Sequence, residues 1–491
     1  MAFEERCGKT VMEYIINGYE PKRLFEIFEE ISAIPRGSGN EKGIADYICA
    51  YAEKLGLFCV RDEVNNVFVR RNAGKGYENA PAVLLQGHTD MVCEKNASTV
   101  HDFTKDPLKL RIENGFLSAD GTTLGADDGV AVAMMLALLE LEEDMPELEC
   151  LFTVSEETSL LGAEAFDYSI VKARRMINMD SEGEGIAVVS SAGGADACYT
   201  VSTDRVKCTE RPIKITVTGL AGGHSGTDIS TCRMNANRIM GRILAKLYEK
   251  TPFNLTSIKG GNMKNAIARE CVAEIVVLDK NEVETELEII RKELADEVCA
   301  EDSGIKIYLD KGKICEKMLT YKDTSKIINL LTLAPNGVYA MSPDFEGLVR
   351  TSCNCGVIEG DENEIKVWVK TRSSCNSEHE VLLRVLTRLG KALDVSCEIG
   401  GMYESWDFCK DSEIARQFIE VFKELFPDSG IKPKTAAIHA GLECGTIISR
   451  LGGCDTIAIG PNVYDIHSPD ERLDLASLER FWKLVLKLIK G

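Results

Sequence analysis

The sequence predicts an α/β protein in which one domain is interrupted by a second, α+β domain. Two observations lead to that expectation. In the first third, helical periodicities alternate with short apolar strand runs, and the strand runs stop at polar or acidic residues. From about residue 190 the texture changes to β-branched strands with long amphipathic helices between them, and the last ninety residues return to the first style. The boundaries read from this are 1–189 and 402–491 for the interrupted domain and 190–401 for the insertion.

Taken in order, residues 24–31 have helical spacing, which should stop before Pro35-Arg36-Gly37-Ser38-Gly39. A second helix is predicted over 42–55, then a strand through Asn66-Val67-Phe68-Val69. Ala82-Val83-Leu84-Leu85-Gln86 is a short apolar strand that runs directly into Gly87-His88-Thr89-Asp90. Residues 129–141 are apolar on every side, the pattern of a buried helix. Strands at 149–154 and 175–179 end at Glu156-Glu157 and Asp180. In open α/β sheets, chemistry gathers beyond the carboxyl ends of the strands, so these endings are candidate site residues. The insertion carries strands such as 213–217 and 364–369, with helices near 235–249, 284–298 and 378–392. The final stretch adds a helix near 411–426, a strand at 456–459 and a helix near 475–489.

Composition excludes several classes of function. The 491 residues include 57 Lys or Arg against 78 Asp or Glu, a net charge of −21, with 44% hydrophobic residues. That apolar content supports folded cores, and the length suits more than one of them. The acidic balance opposes a nucleic-acid scaffold, which needs a basic surface to displace counterions, and opposes docking on anionic lipid. No apolar run is long enough for a transmembrane helix, and Met1-Ala2-Phe3-Glu4-Glu5-Arg6 lacks the order of an export signal. A cytoplasmic location and free thiols at the 18 cysteines are therefore expected.

Six histidines are available, and His88 and His467 both sit just beyond apolar strands. Asp120, Asp127 and Asp128 cluster in one turn-rich segment, and Glu156, Glu157 and Asp180 close two strands. Imidazoles and carboxylates converging in one cleft can hold hydrolytic metal ions, and a further carboxylate can take a proton from an attacking water. Taken alone, His88 is more often a hydrogen-bonded structural histidine, a Glu-Glu pair is more often solvated surface, and the Asp turn could merely cap the following helix. No His-Glu-x-x-His, nucleophile elbow, phosphate loop or full dinucleotide fingerprint is present.

The ordered motifs together resemble the M20 metallopeptidases, and within them the aminoacyl-histidine (Xaa-His, beta-alanyl-histidine) dipeptidase branch. They are Gln86-Gly87-His88-Thr89-Asp90, Gly125-Ala126-Asp127-Asp128-Gly129, Ser155-Glu156-Glu157-Thr158, Met179-Asp180-Ser181-Glu182 and Gly222-Gly223-His224-Ser225-Gly226. Asn265-Ala266-Ile267-Ala268-Arg269-Glu270, Arg372-Ser373-Ser374, His439-Ala440-Gly441-Leu442-Glu443 and Asp465-Ile466-His467-Ser468-Pro469 complete the set. Many members of the family have Asn where this chain has Asp128.

The resemblance implies a zinc-peptidase α/β/α catalytic domain with an inserted α+β lid and dimerisation domain. It implies two zinc ions per subunit, with cobalt or manganese as substitutes. His88, Asp127 and Asp180 would hold one ion and Asp127, Glu157 and His467 the other, Asp127 bridging. Glu156 would be the general base, Asp90 would orient His88, and His224 would stabilise the carbonyl oxygen. Asn265, Arg372 and Glu443 would contact substrate. The implied activity is hydrolysis of short peptides, Xaa-His and beta-Ala-His dipeptides among them, by a homodimer. An amidohydrolase of N-acyl amino acids and an inactive metal-binding module are the alternatives.

Overall fold

The computed structural model describes residues 14–491, so the N-terminal hexapeptide weighed above lies outside the described residues. The chain divides into two units. The first runs to Val189 and resumes over Cys409–Ala436 and Thr446–Gly491; the second comprises Ser190–Phe408 and Ala437–Gly445. The segment carrying His439 and Glu443 thus belongs to the second unit, although both of its flanks belong to the first.

The first unit is organised by a mixed sheet. Its strand order is Phe58–Arg61, Val67–Arg71, Leu148–Thr153, Val83–His88, Arg175–Asn178 and Asp455–Ala458, followed at the edge by Ile186–Ser191 and Lys434–Ile438. The four strands from Leu148–Thr153 to Asp455–Ala458 are parallel, with Val83 opposite Leu148 and His88 opposite Thr153. Every residue of Val83–His88 and Leu148–Thr153 is buried, which explains why they read as continuous apolar runs instead of alternating ones.

The helix Ala126–Glu140 packs on Val83–His88 and on the helix Lys22–Ser32, and its residues from Gly129 to Leu139 are all buried. Glu413–Leu425 packs on Leu475–Lys490 and on the strand Asp455–Ala458, completing the α/β/α arrangement. The last helix starts where the Asp474 side chain accepts a hydrogen bond from the Ser477 amide. A small sheet of Val463–Tyr464, Arg472–Asp474, Phe116–Ala119 and Leu110–Glu113 pins both ends of the loop that carries His467.

The second unit is α+β. Its sheet runs Lys306–Lys311, Ile213–Thr218, Cys271–Val276, Asn254–Gly260, Val349–Gly360, Glu364–Ser373, Gly193–Ser202 and Ser396–Tyr403, and Gly337–Met341 also pairs with Val349–Gly360. All these pairings are antiparallel. Burial alternates along Ile213–Thr218 and Cys271–Val276, so one face supplies the core. That core is shared with Ala236–Lys250, Lys280–Glu297, Tyr321–Leu333 and Asn376–Leu393. The 17 described cysteines are all free thiols, and Cys353 and Cys355 lie buried in this core. No described helix is long and apolar enough to cross a membrane.

Candidate metal centre

Four parallel strands end on one edge of the first unit's sheet, and the segments at those ends deliver a cluster of imidazoles and carboxylates. His88 is the last residue of its strand and is fully buried. Its Nε2 lies 3.0 Å from Asp127 Oδ1 and 3.8 Å from Asp180 Oδ1. The other Asp127 oxygen, Oδ2, lies 3.1 Å from His467 Nε2. His467 Nε2 is also 3.1 Å from Glu157 Oε2. Asp127 therefore turns one oxygen towards each of two imidazoles.

The donor atoms fall into three overlapping groups, each with its members within 4.8 Å of one another. They are His88, Asp127 and Asp180; Asp127, Glu157 and His467; and His88, Glu156 and Glu157. Two ligands at about 2.0–2.1 Å from a tetrahedral zinc stand about 3.3 Å apart, so the imidazole–carboxylate separations suit a shared cation. Electrostatics agrees. Burial drives the Asp180 carboxyl well above the ordinary range, and its neighbours Asp127, Glu156 and Asp128 add to that against the pull of His88. A packed set of half-buried carboxylates of this kind is stabilised by a compensating cation. Burial also opposes ionisation of Asp127, but His467 and His88 together hold its carboxyl well below normal. The donor set is thus chemically suited to two divalent ions of borderline softness.

Asp90 organises the cluster from behind. Its Oδ1 faces His88 Nδ1 at 3.3 Å, and its Oδ2 accepts the Ser38 hydroxyl at 2.7 Å. The same carboxylate accepts the Glu156 amide at 3.1 Å and the Glu157 amide at 3.3 Å. Burial opposes its charge, yet His88, Ser38 and the Glu156 amide keep the Asp90 carboxyl below its usual range. One side chain thereby fixes an imidazole and the turn that presents both glutamates. Glu41 supports that turn from the other side, accepting the Ser155 amide at 3.1 Å where the backbone has φ +55°.

The neighbouring acids separate cleanly. Asp128 is buried and accepts the Ala131 amide at 3.3 Å, and it belongs to none of the three donor groups. Burial, reinforced by Asp127 against the pull of His88, raises its carboxyl well above normal. Asp120 is exposed and likewise belongs to none of the three groups.

A second cluster lies wholly within the other unit. His224 Nε2 is 3.1 Å from Arg372 Nη2, and Arg372 Nη1 donates to the Tyr403 hydroxyl at 3.1 Å. His439 Nε2 is 2.7 Å from the Ser352 hydroxyl. The exposed Asn265 accepts the Ser225 amide on its backbone carbonyl at 2.8 Å, next to His224. Glu443 is buried at the start of the helix Glu443–Arg450. Burial and the Arg372 charge push the His224 imidazole down to about 4, against a smaller opposite pull from Asp228. Burial, Arg372 and His224 push His439 down to about 3.

Both histidines bind fewer protons folded than unfolded between these values and the ordinary 6.5. Above about pH 6.5 they leave stability undiminished, and as pH falls from there towards the folded values stability is progressively lost. We expect the ring NMR signals of His224 to stay those of a neutral imidazole from about pH 5 to 8. In Arg372→Met the midpoint should move up part of the way towards about 6.5; an unmoved midpoint would refute the Arg372 contribution and leave burial as the cause.

Sequence reasoning missed Tyr403, Glu41, Arg36 and Glu471. The first two carry no motif. Arg36 lies in the Pro-Arg-Gly-Ser-Gly turn, and Glu471 lies four residues after His467, so proximity to motifs was the available signal.

A sheet whose strand ends gather two imidazoles and several half-buried carboxylates suits a metal-centred hydrolase. The family model described as Peptidase family M20/M25/M40 matches residues 84–491, and the chain belongs to that family. It is 36% identical over 479 residues to the cytosol non-specific dipeptidase of Escherichia coli (strain K12), covering 96% of this chain and 97% of that one. The crystal structure of aminoacylhistidine dipeptidase from Vibrio alginolyticus superposes with a TM-score of 0.84 at 34% identity, with 96% of each chain covered. Aminopeptidase PepT from Bacillus cereus shares the fold at TM-score 0.55 and 17% identity, covering 96% of this chain and 98% of that one.

Proposed function

We propose that this protein is a metal-dependent dipeptidase that cleaves short peptides with free amino termini, Xaa-His and beta-Ala-His among them. The observation that carries the reading is Asp127, whose two oxygens each face an imidazole from a different donor group. Relatives named as a cytosol non-specific dipeptidase and an aminoacylhistidine dipeptidase support the substrate class. In this reading the first unit is the catalytic domain and the second is the inserted lid and dimerisation domain of a cytoplasmic homodimer.

His88, Asp127 and Asp180 would hold one zinc ion and Asp127, Glu157 and His467 the second, with cobalt or manganese as substitutes. When bound, the ions supply Lewis acidity that lowers the pKa of water and polarises the scissile carbonyl. Glu156, held by its amide to Asp90, accepts the proton of the attacking water and returns it to the leaving nitrogen. Asp90 keeps the His88 ring oriented and basic. His224 stabilises the carbonyl oxygen, while Asn265, Arg372 and Glu443 bind the ends of the substrate. In the described conformation Arg372 occupies His224 Nε2. A substrate carboxylate that attracts Arg372 would release the imidazole.

Mass-spectrometric product analysis tests the reading, with zinc-loaded protein and a panel of dipeptides, beta-Ala-His and N-acyl amino acids. Free amino acids from the dipeptides, with the acyl compounds intact, are expected. Cleavage of the acyl compounds alone would move the function to an amidohydrolase, and no cleavage at all would overturn the enzymatic reading.

A further inference from the structure

Beneath the donor cluster lie two charged side chains that touch none of the donor atoms. Arg36 is 1% exposed and Glu471 is 2% exposed. Residues of these types are almost never so deeply buried without a specific partner. Their partners are backbone groups of the segments that carry His88 and Asp127, and Glu471 itself sits on the loop of His467.

Arg36 Nη1 donates to the carbonyls of Thr89 at 3.1 Å and Asp90 at 3.0 Å, and Nη2 donates to the carbonyl of Gly125. One guanidinium therefore joins the residues just after His88 to the residue two before Asp127. The glycines beside it are required by its position. A Cβ at Gly125 would lie 2.6 Å from Arg36 Nη2, and one at Gly129 would lie 2.5 Å away. Gly125 also has φ +68°, which a side chain would strain.

Glu471 makes the complementary link. Its Oε2 accepts the amides of Leu124 at 2.8 Å and Gly125 at 3.0 Å. Its Oε1 accepts those of Ala126 at 2.8 Å and Asp127 at 3.4 Å. The carboxylate thus satisfies the unpaired amides that open the helix Ala126–Glu140, where Asp127 and Asp128 depart from helical geometry. Glu471 sits on the same short loop as His467, and its own amide donates to the Ser468 carbonyl at 3.1 Å. Fixing Glu471 on the Asp127 amide fixes the spacing between the His467 loop and the Asp127 segment.

We infer that Arg36 and Glu471 are positioning residues that set the spacing of His88, Asp127 and His467, and so set the affinity for the shared metal pair. The inference rests on the ligand assignment proposed above. Groups that hold metal ligands from behind are commonly worth about 10–100-fold in affinity, and Arg36 and Glu471 do so through backbone.

The test is competitive chelator titration of zinc and the visible spectrum of the cobalt form, run beside thermal unfolding of the metal-free proteins. Glu471→Gln keeps the size of the side chain but leaves an NH2 group facing amide donors. Arg36→Lys keeps the charge but cannot reach three carbonyls from one fixed fork. Glu149→Gln is the control: Glu149 is equally buried in the same sheet but holds Arg70, Lys172 and Ala173. Glu471→Gln and Arg36→Lys should each weaken zinc binding about 10–100-fold and alter the cobalt spectrum. Glu149→Gln should lower only the unfolding midpoint. If Glu471→Gln and Arg36→Lys fold and bind zinc as tightly as wild type, with unaltered cobalt spectra, the inference is overturned. Asp127→Ala separates the two ideas, because normal zinc binding in that variant would overturn the ligand assignment itself.

Discussion

Glu156→Gln should lower kcat for dipeptide hydrolysis by about 10²–10⁴-fold while leaving the protein metal-loaded. Gln is nearly isosteric with Glu, and the Glu156 amide bond to Asp90 is made by the backbone, so the turn should persist. What disappears is the function proposed for that side chain, acceptance and return of a proton. Glu156 also belongs to one of the three donor groups, with His88 and Glu157. Metal content measured with kcat therefore separates two roles. Retained metal with lost turnover identifies a general base, whereas loss of one ion per subunit would make Glu156 a ligand and refute the proposed mechanism. Unchanged turnover would refute it as well.

Asp127→Ala should have the larger effect on metal. Its two oxygens face His88 and His467 separately, so one substitution damages both donor groups. Loss of a ligand should exceed the cost of losing an outer support, so affinity should fall by more than about 100-fold at both positions, with hydrolysis at background. Asp128→Asn should behave oppositely, because Asp128 is buried and stands outside the donor groups, and Asn keeps its size and its acceptor for the Ala131 amide. Chelator competition on both variants decides the matter. Comparable losses in the two would contradict the separation of their roles seen in the structure.

Much of this organisation is legible in the residues. The strands at 82–86, 149–154 and 175–179 announce themselves because parallel strands covered on both faces are apolar at nearly every position. Their polar endings then mark the edge where His88, Glu156, Glu157 and Asp180 gather. The helix predicted at 129–141 matches the regular part of Ala126–Glu140, because Asp127 and Asp128, with ψ of 106° and 40°, stand outside helical geometry.

Other features have no local signature. The helix Tyr321–Leu333 escaped the sequence reading because its buried face includes Asp323 and Thr324, which blur the apolar stripe. The nine residues Ala437–Gly445 pack with the second unit through contacts that no periodicity encodes. Arg36 and Glu471 lie near motifs, but their roles are not legible there for a related reason. A charged residue is taken as solvent-facing until its partners are known, and theirs are backbone groups distant in sequence. The choice between Asp127 and Asp128 likewise needed three-dimensional placement, although the family resemblance favoured Asp127.

The most direct test of the metal-centre assignment is an anomalous difference map from crystals of the zinc-loaded protein. Two peaks per subunit are expected, one in reach of His88 and Asp180, the other in reach of Glu157 and His467, with the Asp127 carboxylate between them. A single peak, or a peak held by Asp128 or Asp120 in place of Asp127, would contradict the account.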